Sequence, residues 1–165
     1  MVKVHVERII DVPIERAWDI LGDFSNVHKI HPLVKTVDQK TDKDRGVGAI
    51  RQCNLYDGNK AVEKIEEWDE SNHAYVIRLI DSSLPMKSIL VKLHAVPQGL
   101  NKSKLVAEMN MKAKFGLLGK IMERVVMKPQ LGGAIGNLFA GIESYDKDGM
   151  EIQQGFKAST PALVY

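Results

Sequence analysis

The fold is decided where the hydrophobic pattern changes, at residues 102–130, KSKLVAEMNMKAKFGLLGKIMERVVMKPQ. Up to Phe115, lysines alternate with apolar residues, which is the two-residue period of a strand with one buried face. From Leu117 onward, apolar residues recur at spacings of three and four, the period of an amphipathic helix. The chain therefore passes from a strand into a long helix, predicted for residues 117–146 with a bend near Pro129.

Upstream of this point, the sequence predicts one strand, two short helices and then a run of strands. Residues 2–10 alternate as a strand does. Pro13 suits the first turn of a helix, and a second short helix over residues 24–31 ends before Pro32. Asp57-Gly58 is typical of a tight hairpin, and all the connections are too short for parallel crossovers, so the sheet is expected to be antiparallel. The later predicted strands are 33–41, 46–56, 60–69, 73–81, 86–97 and 102–115.

Composition restricts the class of protein. The chain has 165 residues, of which 44% are apolar and 27% charged, with a formal net charge of +2. These values are typical of one globular domain and do not favour a nucleic-acid binder. The single cysteine, Cys53, excludes an internal disulfide, and no apolar run reaches the roughly 20 residues of a membrane helix. We predict a cytoplasmic protein with one domain at residues 1–148 and a loosely docked tail at residues 149–165.

Short motifs occur in an order that resembles one known superfamily. The chain is similar to the START-like, or SRPBCC, helix-grip proteins, and most similar to the bacterial polyketide cyclase/dehydrase and lipid transport proteins. This resemblance implies an α+β fold in which a curved antiparallel sheet of about seven strands wraps around the C-terminal helix and leaves a cavity between them. The matching stretches are 12–18 (VPIERAW), 23–26 (DFSN), 31–32 (HP), 48–51 (GAIR), 57–58 (DG), 62–65 (VEKI) and 84–86 (LPM).

Strand alternation predicts which side chains face the helix. Most are hydrocarbon or thioether, and methionine adapts to irregular shapes. The glycines near residues 132–141 give the helix small sides. These features fit either a solid core or a ligand cavity, and the resemblance favours the cavity. The expected cavity wall consists of Ile77, Leu79, Ile89, Val91, Met109, Met111, Met122 and Val125, with Phe115 on the same inward face.

Two charged residues interrupt this apolar wall. If Cys53 and Leu55 face inward, Arg51 shares their face, and the resemblance places Glu63 on the cavity side. The Asp57-Gly58 turn makes Arg51 and Glu63 cross-strand neighbours, with the Tyr75 hydroxyl expected nearby. A buried charge needs a partner, so the pair can be structural. It can also orient a polar group of a ligand, which we favour, or Glu63 can act as a general base.

These residues support three hypotheses about function. The first is binding or transport of a small hydrophobic or amphipathic ligand, lipid-like or polycyclic. The second is an enzyme of the cyclase or dehydratase type that uses the same cavity, with Glu63 as a weak catalytic candidate. The third is an interaction module whose core is filled. No cofactor, metal, nucleic-acid partner or integral membrane segment is predicted, because His28 and His31 alone do not make a zinc site.

Overall fold

The fold is a single antiparallel sheet with helices packed on it. The computed structural model describes residues 1–114 and 116–165, without the side chains of Leu117, Lys120 and Glu123. Within these residues the sheet has eight strands in the order β2-β3-β4-β5-β6-β7-β1-β8, which confirms the predicted α+β class. The strands are β1 Val2–Ile10, β2 Val34–Gln39, β3 Ile50–Leu55, β4 Lys60–Asp69, β5 Ala74–Ser82, β6 Met86–Pro97, β7 Ser103–Ala113 and β8 Leu163–Val164.

The helices follow strands β1 and β7 in the chain. Helix α1 covers Ile14–Leu21 and is followed by a 3₁₀ helix at Phe24–Lys29. The C-terminal helical segment begins with α2 at Gly116–Met122, continues as a π helix at Glu123–Met127 and ends with α3 at Lys128–Asp148. Leu138, Phe139 and Ile142 of α3 are buried in the same core as the inward side chains of the sheet, as a helix-grip fold requires.

The prediction that the apolar residues at the start of this helix form one buried stripe is wrong in part. Leu118, Ile121 and Val125 are 78%, 63% and 69% exposed. Met122 is half-buried and packs against the core. A π turn holds an extra residue, which rotates the faces before and after it, and Pro129 has no N–H to continue the usual hydrogen-bond ladder. Val125 therefore does not belong to the cavity wall, and the inward face predicted for Phe115 lies outside the described residues.

The segment after α3 is attached more closely than the predicted loose tail. Its strand β8 pairs with β1 at the edge of the sheet, where Val164 faces Val6. The segment runs back along α3, so that a Cβ atom added at Gly132 would lie 2.8 Å from the side chain of Val164. At Gly136, an added Cβ would lie 2.9 Å from that of Ala162. These glycines face the C-terminal segment rather than the inner face of the sheet, which corrects the prediction for the small side of the helix.

Two tryptophans pack against each other and connect α1 to the sheet. The rings of Trp18 and Trp68 lie 4.9 Å apart between centroids. Each indole N–H donates to one carboxylate oxygen of Glu70, at 2.8 Å and 2.7 Å. Trp68 reaches this position because strand β4 is irregular between Ile65 and Glu67, which exchanges the two faces of the strand beyond it.

Candidate functional site

The two charged residues of the inner wall form an ion pair on adjacent strands. Arg51 of β3 and Glu63 of β4 are directly opposite in the sheet register. The Arg51 Nε donates to Glu63 Oε2 at 2.8 Å, and Arg51 Nη2 lies 2.7 Å from the same oxygen. The Arg51 side chain is 7% exposed and that of Glu63 is 24% exposed. The cross-strand contact that the sequence predicted is therefore present.

The remaining contacts of Arg51 are also made within the chain. Its Nη1 donates to the Phe24 carbonyl at 2.5 Å, and the guanidinium lies 3.9 Å from the centroid of the Phe24 ring. Burial alone would lower the pKa of Arg51, but nearby Cys53 and Glu63 outweigh it and the pKa is raised. All three guanidinium nitrogens contact acceptors within the chain, so Arg51 ties the 3₁₀ helix to the sheet.

Glu63 is the more available partner. Both Arg51 contacts use Oε2, and the Cys53 sulfur lies 3.8 Å from that oxygen. Within the described part of the chain, Oε1 makes no hydrogen bond. Cys53 is itself buried, and burial raises the pKa of its thiol to about 12, so it remains protonated at neutral pH. The site thus offers one free carboxylate oxygen as a hydrogen-bond acceptor.

Tyr75 has a different role from the one expected. Its hydroxyl donates to the carbonyl of Leu21, at the end of α1, over 2.8 Å. The side chain is buried against Trp18 and Trp68, and burial raises the pKa of the phenol. The donor that we expected beside the ion pair is therefore used to hold α1 against the sheet.

His31, which the sequence analysis considered only as a zinc ligand, lies near the ion pair. Its Nδ1 accepts the Leu33 N–H at 3.2 Å, which leaves Nε2 as the protonated nitrogen of the neutral ring. Burial, together with the nearby positive charge of Arg51, lowers the pKa of His31 from 6.5 to about 4. Its place between the 3₁₀ helix and β2 brings it near Arg51, whereas the sequence showed only a helical pair of histidines.

The predicted apolar wall changes in accessibility along its length. On β5, Tyr75 and Ile77 are buried and Leu79 is half-buried. On β6, Leu93 is buried, whereas Val91 and Ile89 are half-buried. The accessible ends of both strands lie toward the hairpin that joins them. Leu55 and Met122 are also half-buried, whereas Met109 and Met111 are buried.

This wall is separate from the large pocket found among the described residues. That pocket has a volume of about 670 Å³ and lies between α3 and the C-terminal segment. The residues predicted from strand parity do not line it. The structure shows partly accessible side chains on the inner wall, and an enclosed cavity beside them remains a proposal.

The fold is an α+β helix-grip domain whose sheet carries an inward-facing ion pair. The chain belongs to the polyketide cyclase/dehydrase and lipid transport family, whose profile matches residues 1–145. A comparison with curated proteins finds no match. Among the described residues, the helices are too short or too polar to cross a bilayer.

Solved structures with the same fold come from several organisms. A START superfamily protein from Mycobacterium smegmatis has a TM-score of 0.72 at 13% identity, covering 90% of this chain and 99% of its own. A protein from Thermobifida fusca has a TM-score of 0.69 at 21% identity, with coverage of 93% and 99%. Norcoclaurine synthase from Thalictrum flavum has a TM-score of 0.67 at 16% identity, with coverage of 89% and 88%. At these identities the likeness shows the fold alone.

Proposed function

We propose that this protein binds or transports a small hydrophobic or amphipathic ligand between the sheet and the C-terminal helix. The observation that carries the proposal is the row of half-buried apolar side chains on the inner wall, above all Leu79, Ile89 and Val91. Inward side chains in a close-packed core are excluded from solvent. These remain accessible although they pack against the core cluster, as the walls of a ligand site do.

The polar end of the site indicates what the ligand offers. Each guanidinium nitrogen of Arg51 already contacts an acceptor, whereas among the described residues Glu63 Oε1 accepts no hydrogen bond and His31 Nε2 donates none. A hydroxyl group can donate to the first and accept from the second. The ligand is therefore a largely apolar molecule that carries at least one hydroxyl group. In this interpretation Glu63 orients the ligand, and Arg51 holds Glu63 in place.

A substitution that fills the wall tests the proposal. Val91 is half-buried on the inner face of β6, and its neighbour Lys92 is exposed on the opposite face. Val91→Trp should place an indole in the binding space, and Lys92→Trp is the matched control. The measurements are native mass spectrometry of the purified proteins and titration with the neutral fluorescent probe N-phenyl-1-naphthylamine.

The outcomes separate an open inner site from a filled core. We expect the wild type and Lys92→Trp to bind the probe and to carry the same co-purified mass, and Val91→Trp to lose both. Equal binding by Val91→Trp would refute the inner site. If the wild type binds neither the probe nor a co-purified molecule, the protein is an interaction module with a filled core.

The second candidate is a cyclase- or dehydratase-type enzyme that uses the same space. It is favoured by Glu63, a carboxylate whose side chain is partly accessible beside an apolar wall, the position that a general base would need. Positioning of a reactive chain would supply much of the remaining acceleration. The test is to incubate the protein with the ligand identified by mass spectrometry and to follow its conversion. An enzyme requires Glu63→Gln to bind that ligand without converting it, whereas a carrier leaves it unchanged in both proteins.

A further inference from the structure

A second concave site lies outside the inner wall, between α3 and the C-terminal segment. Its volume of about 670 Å³ is within the range of about 300–1,000 Å³ that is usual for ligand pockets. Strand β1 closes one side through Arg8. The apolar part of the lining includes Pro129, Gly132, Gly133, Gly136, Pro161 and Ala162.

The charged part of this lining is entirely positive. It contains Arg8, Arg124, Lys128 and Lys157, and no carboxylate side chain lines the pocket. Within the described part of the chain, none of these four side chains forms an ion pair. The protein as a whole has a formal net charge of only +2, so four cations around one pocket are a local concentration of charge.

The hydrogen-bond donors of the Arg8 guanidinium are only partly satisfied within the chain. Its Nη2 donates to the carbonyl of Thr160 in the C-terminal segment, but its Nε is buried without a hydrogen-bond partner. Glu143 acts on Arg8 electrostatically, yet its carboxylate accepts the N–H of Asp11 at 2.6 Å and lies outside the pocket lining. A half-buried cation with an unpaired nitrogen is stabilised by an anion nearby.

We propose that this pocket binds a single-chain amphipathic anion, with an apolar body and a carboxylate or phosphate head. The glycines and prolines offer an apolar floor, which suits a hydrocarbon chain and not a fully hydrated ion. The four cations suit an anionic head group. Gly133 leaves the floor open, because a Cβ atom added there would meet no atom within 4 Å.

The test compares three ten-carbon probes by isothermal titration calorimetry: decanoate, decyl phosphate and the neutral decanol. The pocket variants are Gly133→Leu, which fills the floor, and Lys128→Gln, which removes one cation. The control for charge is Lys147→Gln, an exposed lysine on the same helix that does not line the pocket. The control for the inner wall is Val91→Trp. Gly133→Leu is expected to fold, because its side chain enters open space and leucine favours a helix over glycine.

We expect at least one anionic probe to bind the wild type, and decanol to bind more weakly by about tenfold or more. Gly133→Leu should abolish this binding, and Lys128→Gln should weaken it by about tenfold. Lys147→Gln and Val91→Trp should leave it unchanged, and added salt should weaken it. The difference between the two anionic probes identifies the preferred head group.

Three results would overturn the proposal. The first is an affinity for decanol equal to that for the anions, because the cations would then have no role. Loss of binding in Val91→Trp with retention in Gly133→Leu would assign the probes to the inner wall instead, which leaves the proposed function intact. No binding of either anion by the wild type would show that the pocket is not a site for this class.

Discussion

Breaking the ion pair by Glu63→Gln should destabilise the protein more than the loss of an exposed ion pair would. The substitution leaves Arg51 charged, with a side chain that is 7% exposed, and gives it a neutral amide oxygen in place of a carboxylate. Breaking a buried pair costs about 3–5 kcal/mol. Because the Glu63 side chain is 24% exposed, water can reach the site and we expect about 2–3 kcal/mol.

Arg51→Met has a different physical cost. It leaves a carboxylate that solvent can reach, but it removes the donor to the Phe24 carbonyl and the contact with the Phe24 ring. An unsatisfied buried carbonyl costs about 1–3 kcal/mol. The double variant Arg51→Met/Glu63→Gln removes both charges at once. It should therefore be destabilised by less than the sum of the two single variants, with a coupling of about 1–3 kcal/mol.

Thermal unfolding of the four proteins at neutral pH measures these differences. For a chain of this size, each kcal/mol corresponds to about 2–4 °C in Tm, so Glu63→Gln should melt roughly 5–10 °C below the wild type. Urea unfolding should give the same order of stability. If Glu63→Gln melts within about 1 °C of the wild type, or if the two single effects add in the double variant, the charges do not depend on each other and our account of the pair is refuted.

Three further predictions concern other parts of the structure. The lowered pKa of His31 means that the unfolded chain binds more protons than the folded chain between pH 6.5 and about 4. Lowering the pH from 7 to 5 should therefore reduce the free energy of unfolding of the wild type more than that of His31→Gln, by on the order of 1 kcal/mol, which thermal unfolding at the two pH values measures. Gly141→Ala would place a Cβ atom 2.2 Å from the Ile30 carbonyl oxygen, so its Tm should fall by an amount equivalent to about 2–3 kcal/mol, whereas Gly133→Ala, in open space, should not be destabilised. Glu70→Gln leaves one of the two indole N–H groups without an acceptor, so tryptophan fluorescence should change while the free energy of unfolding falls by about 1 kcal/mol or less. An unchanged emission spectrum would contradict the hydrogen bonds from both indoles to Glu70.

The position of the ion pair could be predicted because it depends on local rules. Asp57-Gly58 fixes the hairpin between β3 and β4, and the two-residue period of a strand then fixes which residues lie opposite each other. Arg51 and Glu63 are paired as this rule requires. The same reasoning could not reveal the contact with Phe24 or the role of Tyr75, because both involve helices whose distance from the sheet is set by packing.

The start of the C-terminal helix could not be predicted by the same means. The pattern over residues 117–125 has a helical period, but period alone does not show which side of a helix faces the sheet. The π helix at Glu123–Met127 changes the phase of the side chains that follow it. The helical period therefore assigns Val125 to the wall although it is exposed, whereas Met122, three residues earlier, packs against the core.

The glycines of α3 show why the second half of this helix needed the structure as well. A small residue permits close approach, but the sequence does not say whether the approaching group is a ligand, a strand or another part of the chain. Here Gly132 and Gly136 admit Val164 and Ala162 of the C-terminal segment, while Gly133, between them in sequence, faces open space. The three glycines thus have two roles. Gly132 and Gly136 bring the segment against the helix, and Gly133 leaves space in the pocket that the segment borders. A substitution at Gly136 should displace the segment, whereas one at Gly133 should fill the pocket and leave the segment in place.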